Sequence, residues 1–259
     1  MTELNLDKAL ATLAAEAKSY PGTLATFLPD FVLYGFATDV REHGEAVQIL
    51  SSSPVPRASF ANARAALESA IDAAYLTSDA AMYDYRGAQA RVAELFENEA
   101  IEKRAAPLKA PLFPSAPLAV HVEDAVASDA QEWDKQAAGK GDILRRAWEA
   151  HTKDPGAVRK HWSLLTKDEV FEYAFPESDA AVLGNMTSVI HSLLSMATHP
   201  RPRVGTRAID FQEGGRIVLG TKPTDPEMAR QIAALSCMIA ANALQKRRGF
   251  TTVARLTSA

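Results

Sequence analysis

A single cysteine, Cys237, occurs in the 259 residues, which excludes an intramolecular disulfide and any cysteine-based zinc site. That fits a reducing compartment. Aromatic residues make up only 7% while alanine is abundant, a balance that favours close-packed helices over sheet. No stretch reaches the roughly 20 apolar residues that a membrane-spanning helix needs. The start, MTELNLDKALATLAAEAKSY, carries Glu3, Asp7 and Glu16 and lacks the basic start and apolar run of a signal peptide. A cytoplasmic protein is expected, with no membrane among its partners. A basic excess is missing as well. The formal net charge is −4 and the pI about 5.9, so any polyanion site must be a local patch.

Familiar chemical signatures are also lacking. There is no H-E-x-x-H, and His191 and His199 stand two helical turns apart rather than one, so no metal site is expected. The set His121-Val122-Glu123-Asp124 reads as the start of a surface helix. No G-x-x-x-x-G-K and no G-x-S-x-G occurs, which leaves neither a phosphate-cradling loop nor a strained nucleophile turn, and no cofactor is implied. Cys237 sits in an apolar helical pattern and reads as an inert core residue.

What the chain does have is helical periodicity along most of its length. Residues 3–18 form an amphipathic pattern with Thr2 as a cap, and Pro29 opens a long helix from Phe31 to Leu50. Helices are expected over Ser59–Thr77 and about Ala80–Ala106. The four prolines between Pro107 and Pro117 predict an extended connection. Beyond it, His121–Ala138 and Asp142–His151 are helical, and Thr166-Lys167-Asp168-Glu169 is a capping box for a short helix through Phe175. Ser178 caps another helix reaching about Thr198. Alternation around Gly214-Gly215 predicts a β-hairpin, and Asp225-Pro226 starts a closing helix of some twenty residues that ends in Lys246-Arg247-Arg248-Gly249, a basic run suited to a helix C-terminus. The expectation is a single all-α domain over 1–259, a multi-helix bundle with one small hairpin near its C-terminus. Its N-terminal helices cover 1–106, the proline-rich connection 107–120, and the remaining helices and hairpin 121–259.

The chain is organised around Ser59–Thr77. Within it Arg64, Glu68, Asp72 and Tyr75 fall in a sector of roughly 80°, a narrow polar stripe on a helix otherwise apolar. Arg64–Glu68 attracts at i,i+4 whereas Glu68–Asp72 repels, so Asp72 needs a cation from elsewhere. Two readings stay open: a structural ion-pair ladder, or a stripe that faces a ligand. A second polar edge, Ser188, His191, Ser195 and His199, lines one side of the helix before Pro200. Histidine changes charge near neutrality, so this edge, set opposite the stripe, would form a site; the alternative is a core histidine and a helix cap. Arg201, Arg203, Arg207, Arg216 and Lys222 gather around the hairpin. They would suit phosphate, but Asp210 and Glu213 are interleaved and a solvated, ion-paired hairpin is the plainer reading.

Taken together, Arg64 and Glu68 as R-x-x-x-E, and Ser195-Met196-Ala197-Thr198-His199-Pro200 as S-x-x-x-H-P, resemble a group of uncharacterised bacterial all-helical proteins. More distantly the arrangement is similar to HEPN domains, helical bundles that often act as metal-independent ribonucleases through an Arg followed four to six residues later by His. The chain departs from that signature, since no Arg stands upstream of His191 or His199 at that spacing. The resulting expectation is a binding or interaction module. Its polar cleft would use Arg64, Glu68, Asp72, Tyr75, His191, Ser195, His199 and Arg203 to hold a small ligand or RNA, and a homo-oligomer is left open. The alternative is a metal-independent ribonuclease in which His191 or His199 is general acid or base and Arg64 or Arg203 stabilises the phosphorane.

Overall fold

A computed structural model of the chain describes residues 4–19, 28–53, 57–112, 121–154, 161–176, 209–212, 216–219 and 226–257. Among these the fold is all-helical: α1 (Leu6–Ser19), α2 (Leu28–Ser51), α3 (Arg57–Leu76), α4 (Tyr83–Leu112), α5 (Val122–Gln136), α6 (Lys140–Lys153), α7 (Lys167–Ala174) and α8 (Pro226–Thr257). No helix among the described residues is long and apolar enough to cross a membrane. The small β-hairpin expected around Gly214-Gly215 is not supported as a part of this fold. Only the backbone of Ile209–Gln212 and Arg216–Leu219 is described there, paired antiparallel, and the turn between them lies outside the described residues. The helix expected from Ser178 to Thr198 lies outside them too.

Two compact units divide the chain. Unit 1 comprises Met1–Tyr20, Gly35–Ser78 and Phe171–Ala259, and unit 2 comprises Pro21–Tyr34 and Asp79–Val170.

In unit 1, α1 is capped by Asn5. The Lys8 N–H donates to Asn5 Oδ1 at 3.0 Å, the usual reach from an N-cap to the third helical residue, and Thr2, the cap expected from the sequence, lies outside the described residues. Leu6 and Leu13 of α1 are fully buried. Helices α1 and α8 run parallel: Leu6 neighbours Arg230 at one end, and Glu16 accepts from Gln245 and Arg248 at the other. The basic run at 246–248 therefore does not terminate its helix. α8 continues through Gly249 to Thr257, since a helical glycine costs only about 1 kcal/mol, and Arg248 ties α8 to α1. α3 packs against α8, and both helices bury series of small side chains, Ala63, Ala66, Ala70 and Ala73 on α3 and Ala229, Ala233, Ser236 and Ala240 on α8. Steps of three and four residues keep each series on one helical face, and their small volume lets the axes approach closely. Gly44 of α2 does the same at a point: a Cβ there would stand 3.0 Å from Leu10 Cδ2 and 3.3 Å from Cys237 Sγ.

Unit 2 is built on α4, α5 and α6 around Val92, Val126, Trp133 and Leu144. The α5–α6 connection turns on Gly139, whose φ of 81° is one that only glycine adopts without strain. Gly139 has no side chain with which to cap α6. Asp134 of α5 supplies the cap, its Oδ1 accepting the Gly141 N–H at 2.8 Å. Arg91 joins α4 to α5 through Asp129 at 2.9 Å, and Lys140 joins α6 to Asp84 of α4.

One expectation is overturned here. α4 runs to Leu112, through Pro107 and Pro111, where an extended connection was expected from Pro107 onward. Each proline removes one backbone donor, and the two stand four residues apart, so both losses fall on one side of the helix and the ladder continues on the other. The capping box is present as expected. Glu169 accepts from the Thr166 N–H at 2.8 Å, and Thr166 Oγ1 accepts from the Glu169 N–H at 3.3 Å, opening α7.

Candidate functional site

Arg64, Glu68 and Asp72 lie half-buried along α3, flanked by the buried side chains of Phe60 and Leu67. The Arg64 Nε and Nη2 both donate to one oxygen of Glu68, each at 3.3 Å. This is the i,i+4 attraction that the spacing implies, but it is loose. Two contacts share a single acceptor, and the side chains keep 24% and 41% of their surface exposed. Such a pair is worth only about 0.3–0.5 kcal/mol. Tyr75 differs from the rest of the stripe in being 4% exposed, and its ring meets the edge of Tyr173 on α7 with centroids 6.4 Å apart. Glu68, Asp72 and Tyr75 each have further partners beyond these.

Close in sequence to the stripe, Asn62 joins α3 to α2. Its Nδ2 donates to Ala58 O at 3.1 Å, which turns Oδ1 toward His43 Nδ1 at 3.0 Å and assigns the proton to that nitrogen. The remaining expected site residues, His191, Ser195, His199 and Arg203, lie outside the described residues, as does the helix that would carry the second polar edge. Among the described residues, a groove of about 250 Å³ opens between Leu4, Asn5 and Leu6 at the start of α1 and Glu227 and Arg230 at the start of α8. No stripe residue lines it.

A second set of buried polar groups, in unit 2, escaped the sequence reading. Tyr83, Arg86 and Gln89 form a row on α4, each no more than 6% exposed. Tyr83 donates to Asp30 Oδ1 at 2.8 Å, and Gln89 Nε2 donates to Ser163 O at 3.2 Å. His151 is buried at the end of α6, and His161 Nδ1 lies 2.7 Å from Ser163 Oγ. A signal was available: in Tyr83-Asp84-Tyr85-Arg86-Gly87-Ala88-Gln89-Ala90, a charged and an amide side chain stand three apart, on one side of the helix and next to small residues. An Arg five residues ahead of a His does occur on α6, at Arg146 and His151. Five helical residues turn the chain by about 500°, so the two point apart, Arg146 exposed and His151 buried.

No group of three or more His, Cys, Asp or Glu side chains among the described residues could hold a metal ion. Cys237 is fully buried, and burial pushes its thiol up to about 12. At pH 8 the native protein should therefore react with a thiol-specific disulfide reagent roughly a thousandfold more slowly than the unfolded chain, whose thiol titrates near 8.5. The rate with and without denaturant checks this, and comparable rates would mean that the α2–α8 contact over Cys237 opens readily.

Compared with known protein families, curated proteins and solved structures, the chain matches none.

Proposed function

We propose that the chain is a helical-bundle binding module whose working surface is centred on Arg64, Glu68 and Asp72, and that its ligand is a small anionic molecule or a short RNA. The observation that carries this reading is the loosely held, half-buried Arg64 guanidinium on a helix whose flanks are buried. A structural ion pair at that position would gain from two-oxygen geometry. A guanidinium that shares one carboxylate oxygen can exchange it for a ligand carboxylate or phosphate at small cost. In this reading His191, Ser195, His199 and Arg203 form the facing wall, and the protein acts in the cytoplasm.

The test is a thermal melt of wild type and Arg64→Ala, each with and without nucleotides, short RNAs and small carboxylates. Arg64→Ala alone should change stability by less than about 1 kcal/mol, because the pair it removes is weak. A compound at one hundred times its dissociation constant should stabilise the wild type by about 2.7 kcal/mol and leave the variant unmoved. An early-melting variant with no compound shifting the wild type would make the stripe scaffolding. Cleavage of RNA in EDTA, abolished by His191→Ala or His199→Ala, would replace binding with catalysis.

A further inference from the structure

The polar stripe of α3 continues onto a second helix. Its last member, Tyr75, is buried, and the ring beside it belongs to Tyr173 of α7, centroids 6.4 Å apart and planes at 62°. Both residues lie in unit 1. Tyr75 shares the helical sector of Arg64, Glu68 and Asp72, so this contact sets Tyr173 at the C-terminal end of the stripe. On α7 the buried residues Phe171 and Ala174 are the anchors, and Phe171 packs on Phe175 with centroids 4.9 Å apart. Tyr173 stands off that side and keeps 53% of its surface exposed. An edge-to-face contact with a buried ring steadies the Tyr173 side chain without covering it, as a stacking surface requires.

Along the α3 axis the stripe then presents three chemistries in order. Arg64 leans one turn forward to Glu68, so its charge lies near the level of residue 68, about 10 Å before Tyr75 at the helical rise. Asp72 stands between them, about 4.5 Å before Tyr75. A guanidinium suits phosphate oxygens, a carboxylate accepts from sugar hydroxyls, and a tyrosine ring stacks on the face of any base. Asp72 has other partners, and its two oxygens offer further acceptor sites besides them. Glu68 is 41% exposed, so it can turn to water as a phosphate takes its place on Arg64.

Resting on the reading of α3 as a ligand site, we propose that its ligand is a nucleoside di- or triphosphate, with the base on Tyr173, the sugar beside Asp72 and the phosphates at Arg64. Inorganic phosphate or a small carboxylate would use Arg64 and leave Asp72 and Tyr173 idle. A short RNA would lay backbone charges along the whole stripe, where Glu68 and Asp72 repel them. A single nucleotide keeps its charge at the Arg64 end.

The experiment is isothermal titration calorimetry of the full chain with ATP, inorganic triphosphate and a short single-stranded RNA. ATP is expected to bind about tenfold more tightly than inorganic triphosphate, although it carries no more charge, because of the stacked base. Tyr173→Ala should remove that tenfold and leave the affinity for inorganic triphosphate unchanged. Tyr173→Phe, which keeps the ring, should retain it, and Arg64→Ala should weaken both compounds. Triphosphate that binds as tightly as ATP, or a Tyr173→Ala variant that holds ATP as the wild type does, overturns the nucleotide and leaves the anion site at Arg64 standing. RNA bound more tightly than ATP overturns it too. If neither ATP nor triphosphate binds, the nucleotide falls, and the small carboxylates of the thermal melt decide the α3 site separately. The comparison of ATP with triphosphate is made on the wild type, so it decides the matter even if Tyr173→Ala does not fold.

Discussion

Gly141→Ala is expected to destabilise unit 2 by about 2–3 kcal/mol, although alanine is the better helix former by about 1 kcal/mol. A Cβ at this position would stand 2.3 Å from Asp134 Oδ2 and 2.5 Å from Ala130 O. The carboxylate could swing away, but only by releasing the Gly141 N–H that it caps at 2.8 Å. The Ala130 carbonyl belongs to the α5 backbone, so α5 and α6 would have to separate at the point where Ala130 and Leu144 share a core. Trp133, Trp148 and Trp162 all lie within unit 2, so a denaturant titration followed by tryptophan fluorescence reads this unit. Gly249→Ala, in unit 1, is the control and is followed by helical circular dichroism. No atom lies within 4 Å of a Cβ there, and the substitution should gain about 0.5–1 kcal/mol in α8. An unchanged midpoint for Gly141→Ala would mean that α5 and α6 are not held at this distance.

Phe60→Ala is expected to cost about 3–5 kcal/mol and to carry the stripe with it. Among the described residues Phe60 is the largest of the fully buried side chains, at 0% exposed, and it lies one turn ahead of Arg64 on α3. Its removal leaves a cavity that a close-packed interior refills only in part. Hydrogen exchange along α3 reads the effect directly: amides from Arg64 to Asp72 should lose protection by roughly a hundredfold or more if the helix opens with unit 1. Phe60→Leu should recover more than half of the loss. A Phe60→Ala variant that bound ligand as the wild type does would separate the stripe from the packing beneath it, and would count against a site built on α3.

Elements with strong local determinants were legible before any tertiary contact was known. The capping box at Thr166–Glu169 is satisfied inside four residues, so its pattern alone predicts the start of α7. The Arg64–Glu68 pair is likewise a property of helical spacing. Alanine-rich periodicity marked α3 and α8 as central because a helix with wide apolar faces has to be covered on several sides. Two of the misreadings share a cause, a local signal outweighed by a neighbour distant in sequence, and the third arose within its own helix. Lys246-Arg247-Arg248 resembles a helix end, yet Glu16 of α1 gives Arg248 a partner in mid-helix. Pro107 resembles a helix stop, yet α4 continues beyond it. Arg86 and Gln89 pass for surface polar residues until Asp30, Tyr83 and Ser163 are found beside the same side of α4.

By itself, then, the sequence determined the helical class, most helix positions, the i,i+4 geometry of the α3 stripe and the inert setting of Cys237. Those follow from dihedral preference, periodicity and composition, which act over a few residues. Tertiary structure alone decided that Asp134 caps a different helix, that Gly141 lies against the α5 backbone, and that His151 is caught between two carbonyls. Each of these depends on the approach of two segments to within hydrogen-bonding or van der Waals distance, and no pattern along the chain encodes that separation.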